Sequence, residues 1–199
     1  MKILGLTGDI ACGKSSVARI LAQKGAAILD SDLLVRELYA DTHFAARVAA
    51  LFEVPVRDEN GGVDRAKLGA LVFKNAGKLC QLELLVHPAV AALRGEKLRA
   101  LAGEKKVAVI EAVKLLESGQ GNECDAVWCV VASPAVQRGR LMKNRGLDEA
   151  QARLRLENQP SREAKIALAR DTPLVWIENN GTMDELAALV ERHWTQFLA

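Results

Sequence analysis

Between residues 2 and 25 the chain allows very few folds. An apolar run, KILGLT, leads into Gly8-Asp9-Ile10-Ala11-Cys12-Gly13-Lys14-Ser15. Then comes SSVARILAQKG, with Val17, Ile20 and Leu21 at helical spacing and a stop at Gly25. A buried strand, a tight glycine turn and a helix therefore follow one another without spare residues. The turn matches G-x-x-x-x-G-K-[ST]. Gly8 and Gly13 permit backbone conformations that a Cβ obstructs, so successive N–H groups turn toward one anion. The helix start points its positive end at the same place. Lys14 adds a mobile cation for the β- and γ-phosphates, and Ser15 adds a hydroxyl oxygen of the kind Mg²⁺ prefers.

Further along, four more short apolar runs read as strands: AAILD (26–30), VAVIEAV (107–113), AVWCVVA (126–132) and LVWIEN (174–179). Their continuous apolarity is what parallel strands covered on both faces need. Helical stretches separate them, including DEAQARLRLENQ, opened by the capping pair Asp148 and Gln151, and a C-terminal amphipathic helix, TMDELAALVERHWTQFL. The pattern predicts a three-layer α/β fold with right-handed crossovers. Two segments exceed any loop. Residues 31 to about 105 hold several helices, and residues 134 to about 170 form an Arg- and Lys-rich helical stretch; both read as insertions over the sheet edge within one domain of 199 residues.

A net charge of +2 without a basic stripe argues against nucleic acid, and no run reaches transmembrane length. The start, MKILGLTGD, is too short for a signal peptide. Cys12, Cys80, Cys124 and Cys129 form no C-x-x-C pair, so zinc and a disulfide framework are both disfavoured and reduced thiols in the cytoplasm are expected. A guanine-specifying N-K-x-D is absent, and DENG (58–61), a mimic of the switch motif D-x-x-G, reads as a turn among polar residues.

The second strand ends AILDSDLLVREL. Asp30 and Asp32 fall at the carboxyl end of a parallel strand, where open α/β sheets bind ligands. If the strand continues, both point to the same side, and one aspartate orients or deprotonates an attacking hydroxyl. Arg36 follows Asp32 by four residues and shares its face on a helix. The alternative is that Asp32 caps the next helix and pairs with Arg36, capping being expected of one of the two aspartates.

Taken in order, GLTGDIACGKSSV, ILDSDLLVREL, HPAV (87–90), RLMKNRGLDEAQARLRLENQ (140–159) and IENNGT (177–182) resemble dephospho-coenzyme A kinase along essentially the whole chain. The resemblance implies a P-loop kinase fold with a five-stranded parallel sheet: a core of about 1–30, 106–133 and 171–199, a helical acceptor-binding insertion at about 31–105 and a helical lid at about 134–170. It implies transfer of the γ-phosphoryl group of ATP, with Mg²⁺, to the ribose 3′-hydroxyl of dephospho-CoA in the last step of coenzyme A synthesis. Gly8 and Ala11, Cys12, Gly13, Lys14, Ser15 and Ser16 then hold ATP phosphates, with Ser15 on the metal. Asp32 acts on the hydroxyl, Arg36 and His87 line the acceptor pocket, Arg140 approaches the transferring group from the lid, and Asn179 and Asn180 hold adenine. On its own, His87 before Pro88 reads as a helix-start histidine, and Arg138, Arg140 and Arg145 are unranked. A monomer or weak homo-oligomer is expected.

The chain departs from the family at Asp9 and Ala11, both usually glycine, at Cys12, usually serine, and at Ser16, usually threonine. Its third strand runs into IEAVKLLES rather than the family's Pro-Leu-Leu-x-Glu, which leaves Glu111, Lys114 and Glu117 without assigned roles. Two alternatives remain beside the resemblance: another P-loop small-molecule or nucleotide kinase, and a non-catalytic nucleotide-binding switch.

Overall fold

A computed structural model describes residues 1–52, 54–73, 75–157 and 159–199. The predicted strands appear as β1 (Lys2–Gly8), β2 (Ala27–Asp30), β3 (Val107–Glu111), β4 (Ala126–Val131) and β5 (Leu174–Glu178), in the sheet order β2-β3-β1-β4-β5. β1 lies at the centre, parallel to β3 and to β4, and β4 is parallel to β5. All five residues of β3 are buried, as are Leu4 and Leu6 of β1, so continuous apolarity did mark strands covered on both faces.

The chain divides into two compact units, Met1–Ile28 with Leu101–Ala199 and Leu29–Ala100. In the first, α1 (Lys14–Gln23) and α9 (Met183–Leu198) bury Val17, Ile20 and Leu21 and Leu186, Val190 and Trp194 in one core with Leu4, Leu6, Val109, Trp128 and Ile177. Each fully buried Val, Leu or Ile among them contributes about 1.5–3 kcal/mol. The Thr182 and Glu185 capping box starts α9, and Asp148 with Gln151 starts α7 (Glu149–Glu157) by the reciprocal bonds their spacing predicted. α6 (Pro134–Arg145) begins on Ser133 with proline in its first turn and ends on Gly146 at φ 62°. Ser161 caps α8 (Arg162–Ala169).

The second unit holds α2 (Ser31–Ala40), α3 (Thr42–Ala50), α4 (Arg65–Val72) and α5 (Ala76–Leu101), packed around Leu34, Phe44, Val48, Val56, Leu82, Val86 and Val90. DENG is the expected turn: the Asp58 carboxylate accepts from the N–H groups of Asn60 and Gly62, each at 2.9 Å.

Candidate active site

The glycine turn between β1 and α1 has two faces. α1 starts on Gly13 at φ +94° with no side-chain cap, so no side chain occupies the donors of Lys14 and Ser15 at its start. A Cβ on Gly8 would lie 2.5 Å from the Val130 carbonyl oxygen, which explains the first glycine by close approach. Ala11, where the resemblance leads to glycine, sits at φ 55°, a left-handed conformation that costs an L-residue about 1–2 kcal/mol. That cost is borne by a loop fastened from outside.

When peptide N–H groups face inward, their carbonyls face outward and need donors. The donors come from far along the chain. The Asn179 amide donates to the Cys12 carbonyl at 2.8 Å. The Arg140 guanidinium donates to the carbonyls of Ala11 at 3.3 Å, Cys12 at 3.1 Å and Asn179 at 3.1 Å. Gln137, one turn before Arg140 on α6, donates to the Ile10 carbonyl at 2.8 Å. Gln159 accepts from the Ile10 N–H at 2.6 Å. Gln137 and Asn179 are buried, which polar side chains tolerate only when bonded in this way. Asn180 accepts from the Ser133 N–H at 2.7 Å and so ties the β5–α9 turn to the start of α6.

At the mouth of the loop, the Lys14 ammonium pairs with the carboxylate of Glu111, the buried last residue of β3. Glu111, left open by the sequence, is thus the counter-ion of the loop lysine. Its signal was one charged residue closing an otherwise apolar run. Deeper in, the Asp9 carboxylate pairs with the ammonium of Lys165 on α8. Burial pushes the Cys12 thiol up to about 11 and the Cys129 thiol up to about 12, so both are protonated at neutral pH. Ser15 is exposed in the first turn of α1, and Ser16 donates its N–H to the Gly13 carbonyl at 2.9 Å.

In the second unit one sequence expectation is corrected. β2 stops at Asp30, and the Asp30 carboxylate accepts from the N–H groups of Asp32 at 2.8 Å and Leu33 at 3.4 Å. The two aspartates therefore do not share a strand face. Asp30 is the helix cap, and Asp32 lies exposed in the first turn of α2 with Arg36 one turn on. His87 is no helix-start residue, because it and Pro88 stand exposed in the interior of the 26-residue α5. Lys114 and Glu117 are exposed in the turn after β3.

Comparison with known proteins supplies the family. A family model described as dephospho-CoA kinase matches residues 2–185. A dephospho-CoA kinase of Thermobifida fusca is 39% identical over 194 residues, covering 97% of this chain and 94% of that protein. A crystal structure of a Thermus thermophilus protein superposes with a TM-score of 0.78 at 28% identity, covering 98% of this chain and 97% of that one. The structure of a Campylobacter jejuni dephospho-CoA kinase, at 21% identity and a TM-score of 0.66 over 100% of this chain and 97% of that one, agrees in fold. The fold is therefore the P-loop kinase α/β fold, and this chain belongs to the dephospho-CoA kinase family.

Proposed function

We propose that this chain transfers the γ-phosphoryl group of ATP to the ribose 3′-hydroxyl of dephospho-CoA, giving coenzyme A and ADP. The observation that carries the reading is the phosphate loop itself. It has an uncapped helix start, outward carbonyls already bonded and a lysine held at its mouth, in a chain whose family membership spans residues 2–185. Phosphoryl transfer asks little covalent chemistry of the protein; positioning and charge do most of the work.

Each part then has a role. The N–H groups of the loop and Lys14 take the β- and γ-phosphates, and Lys14 leaves Glu111 for them. The bond from the γ-phosphorus to the bridging oxygen breaks as the bond to the 3′-oxygen forms, and the hydroxyl proton passes to Asp32, whose exposed carboxylate is an available acceptor. Arg36 and His87 are assigned to the acceptor's anionic groups. Asn179 and Asn180, just past the end of β5, are assigned to the adenine side of the site; both side chains are engaged elsewhere, and the Asn179 N–H and carbonyl are bonded to Val131 and Arg140, so the base is assigned to the Asn180 backbone.

The donor set fits Mg²⁺, because the Ser15 hydroxyl is a hard oxygen and phosphate oxygens complete such shells. When bound, that ion neutralises charge on the transferring group. Three thiols are buried and all four are free, which supports a reducing compartment such as the cytoplasm.

The test is an ADP-release assay with dephospho-CoA, shikimate and a nucleoside monophosphate in parallel. ADP formation should require dephospho-CoA. Turnover with another acceptor instead would replace this reading with a different small-molecule kinase, and nucleotide binding without turnover would point to the switch.

A further inference from the structure

Asp9 is out of place by charge. It follows Gly8 directly, in a loop that receives a polyanion, yet it carries a carboxylate. The ammonium that meets it comes from Lys165, and the two side chains are only 17% and 8% exposed. A buried charge of this kind persists only with a partner. α8 presents Lys165 from a fixed position. One turn earlier, Arg162 lies 4.2 Å from the Trp176 ring centroid and 3.9 Å from the Glu178 carboxylate, so α8 lies against β5. Next door, the Cys12 and Cys129 thiols feel the fields of both Asp9 and Lys165, so the pair is electrically part of the loop's surroundings.

We propose that Lys165 is a positioning residue for nucleotide binding: its charge cancels that of Asp9, which otherwise repels the triphosphate, and its bond fixes the loop to α8. This rests on the ATP reading above. A pair that served only to hold the fold would change thermal stability without changing affinity for ATP selectively. A pair that tunes charge gives opposite signs for its two single substitutions. In Lys165→Met the Asp9 carboxylate faces the phosphates uncancelled. In Asp9→Asn the Lys165 charge is released toward them.

The experiment is calorimetric titration of ATP with Mg²⁺ present, and separately of dephospho-CoA, into the parent protein, Lys165→Met, Asp9→Asn and the double variant. Lys165→Met should weaken ATP binding about tenfold, the scale of one uncancelled and partly screened charge, with the effect shrinking as salt rises. Dephospho-CoA binding should stay at the parent value. Asp9→Asn should tighten ATP binding by about two- to threefold, and the double variant should return to within about twofold of the parent. Unchanged ATP affinity in Lys165→Met overturns the proposal, as does a double variant no better than that single one. Should Lys165→Met fail to fold, Asp9→Asn decides alone, since affinity equal to or weaker than the parent's overturns it. Failure of the parent itself to bind ATP would instead remove the kinase reading.

Discussion

Substituting Gly13 by alanine tests how the loop is held. At φ +94° an alanine is strained by about 1–2 kcal/mol. Its Cβ would also lie 2.2 Å from Asn179 Nδ2, closer than any real contact. That nitrogen is the donor to the Cys12 carbonyl at 2.8 Å, and Asn179 is only 5% exposed. Expelling it leaves a buried donor unpaired, for about 1–3 kcal/mol more. The Cys12 carbonyl keeps Arg140 at 3.1 Å, so the loss on the acceptor side is small. Gly13→Ala should therefore cost about 2–5 kcal/mol, and near 3 kcal/mol the melting temperature falls by roughly 6–12 °C for a chain of this size. Asn179→Ala alone deletes one hydrogen bond and should cost about 1–2 kcal/mol. In the double variant the new methyl group meets no amide, so only the backbone strain is added. The two substitutions should then be less than additive by about 1–3 kcal/mol. Urea unfolding of the parent and three variants, followed by tryptophan fluorescence, measures the cycle. Additivity within about 0.5 kcal/mol would refute the reasoning, because Asn179 would then yield freely and could not be what fixes the loop.

Four further outcomes are expected. Lys14→Ala should lower the turnover number by about 100-fold or more and also lower the melting temperature, because Glu111 is left buried without its partner; near-native turnover in the ADP-release assay would refute the loop assignment. Asp32→Asn should reduce turnover by about 100- to 10,000-fold with ATP affinity and melting temperature near the parent values, since Asp32 is exposed; a crippled Asp30→Asn with a mild Asp32→Asn would reverse the assignment. Arg140→Ala strips three carbonyls of a donor, so it should weaken ATP binding along with turnover and leave dephospho-CoA binding alone, which titration of each ligand checks. The Cys12 and Cys129 thiols, pushed up to about 11 and about 12 by burial, stay protonated below those values, so a disulfide reagent at pH 8 should modify exposed Cys80 first; mass mapping of early product on Cys12 would contradict this.

What could be read in the sequence was local. Strands β1 to β5 were visible because continuous apolar runs suit strands buried on both faces, and α7 and α9 because their caps lie three residues from the groups they bond. The loop motif was visible because its chemistry sits within eight consecutive residues. The Asp30 and Asp32 register failed for a local reason too: an aspartate before a helix start prefers to cap it, and the cap ends the strand two residues earlier than a straight continuation. Pro88 gave a helix start that α5 does not have, since its missing N–H and ring are accommodated within a long helix. Of the partners behind the loop, Arg140 and Asn179 were singled out only through the resemblance and for other contacts, and the rest were not legible. Gln137, Gln159 and Lys165 reach Ile10 and Asp9 across 127, 149 and 156 residues, and nothing in their own neighbourhoods distinguishes them from solvated polar residues.

Those distant partners bear on the proposal that residues 134 to about 170 act as a lid. Arg140 was expected to approach the transferring group from the lid, but its guanidinium already serves three carbonyls; if it left, the Cys12 carbonyl would keep Asn179, while those of Ala11 and Asn179 would lose this donor. Gln137 lies on the same face of α6 one turn earlier and is bonded to the same loop. The first two turns of α6 are thus fastened to the phosphate loop, and a closing motion that keeps these bonds must bend beyond Arg140, toward Gly146 at φ 62°. The Arg138–Glu149 pair at 3.5 Å spans Gly146 and would have to open in such a motion. Arg140 need not move to matter. Behind the peptide planes whose N–H groups face the anion, a fixed guanidinium polarises those planes and adds positive potential to the cradle. Under the proposed function, the charge facing the transferring group would be split between the Lys14 ammonium at the mouth and the anchored Arg140 guanidinium at the back. On that reading only Lys14, paired with Glu111, would have to exchange partners.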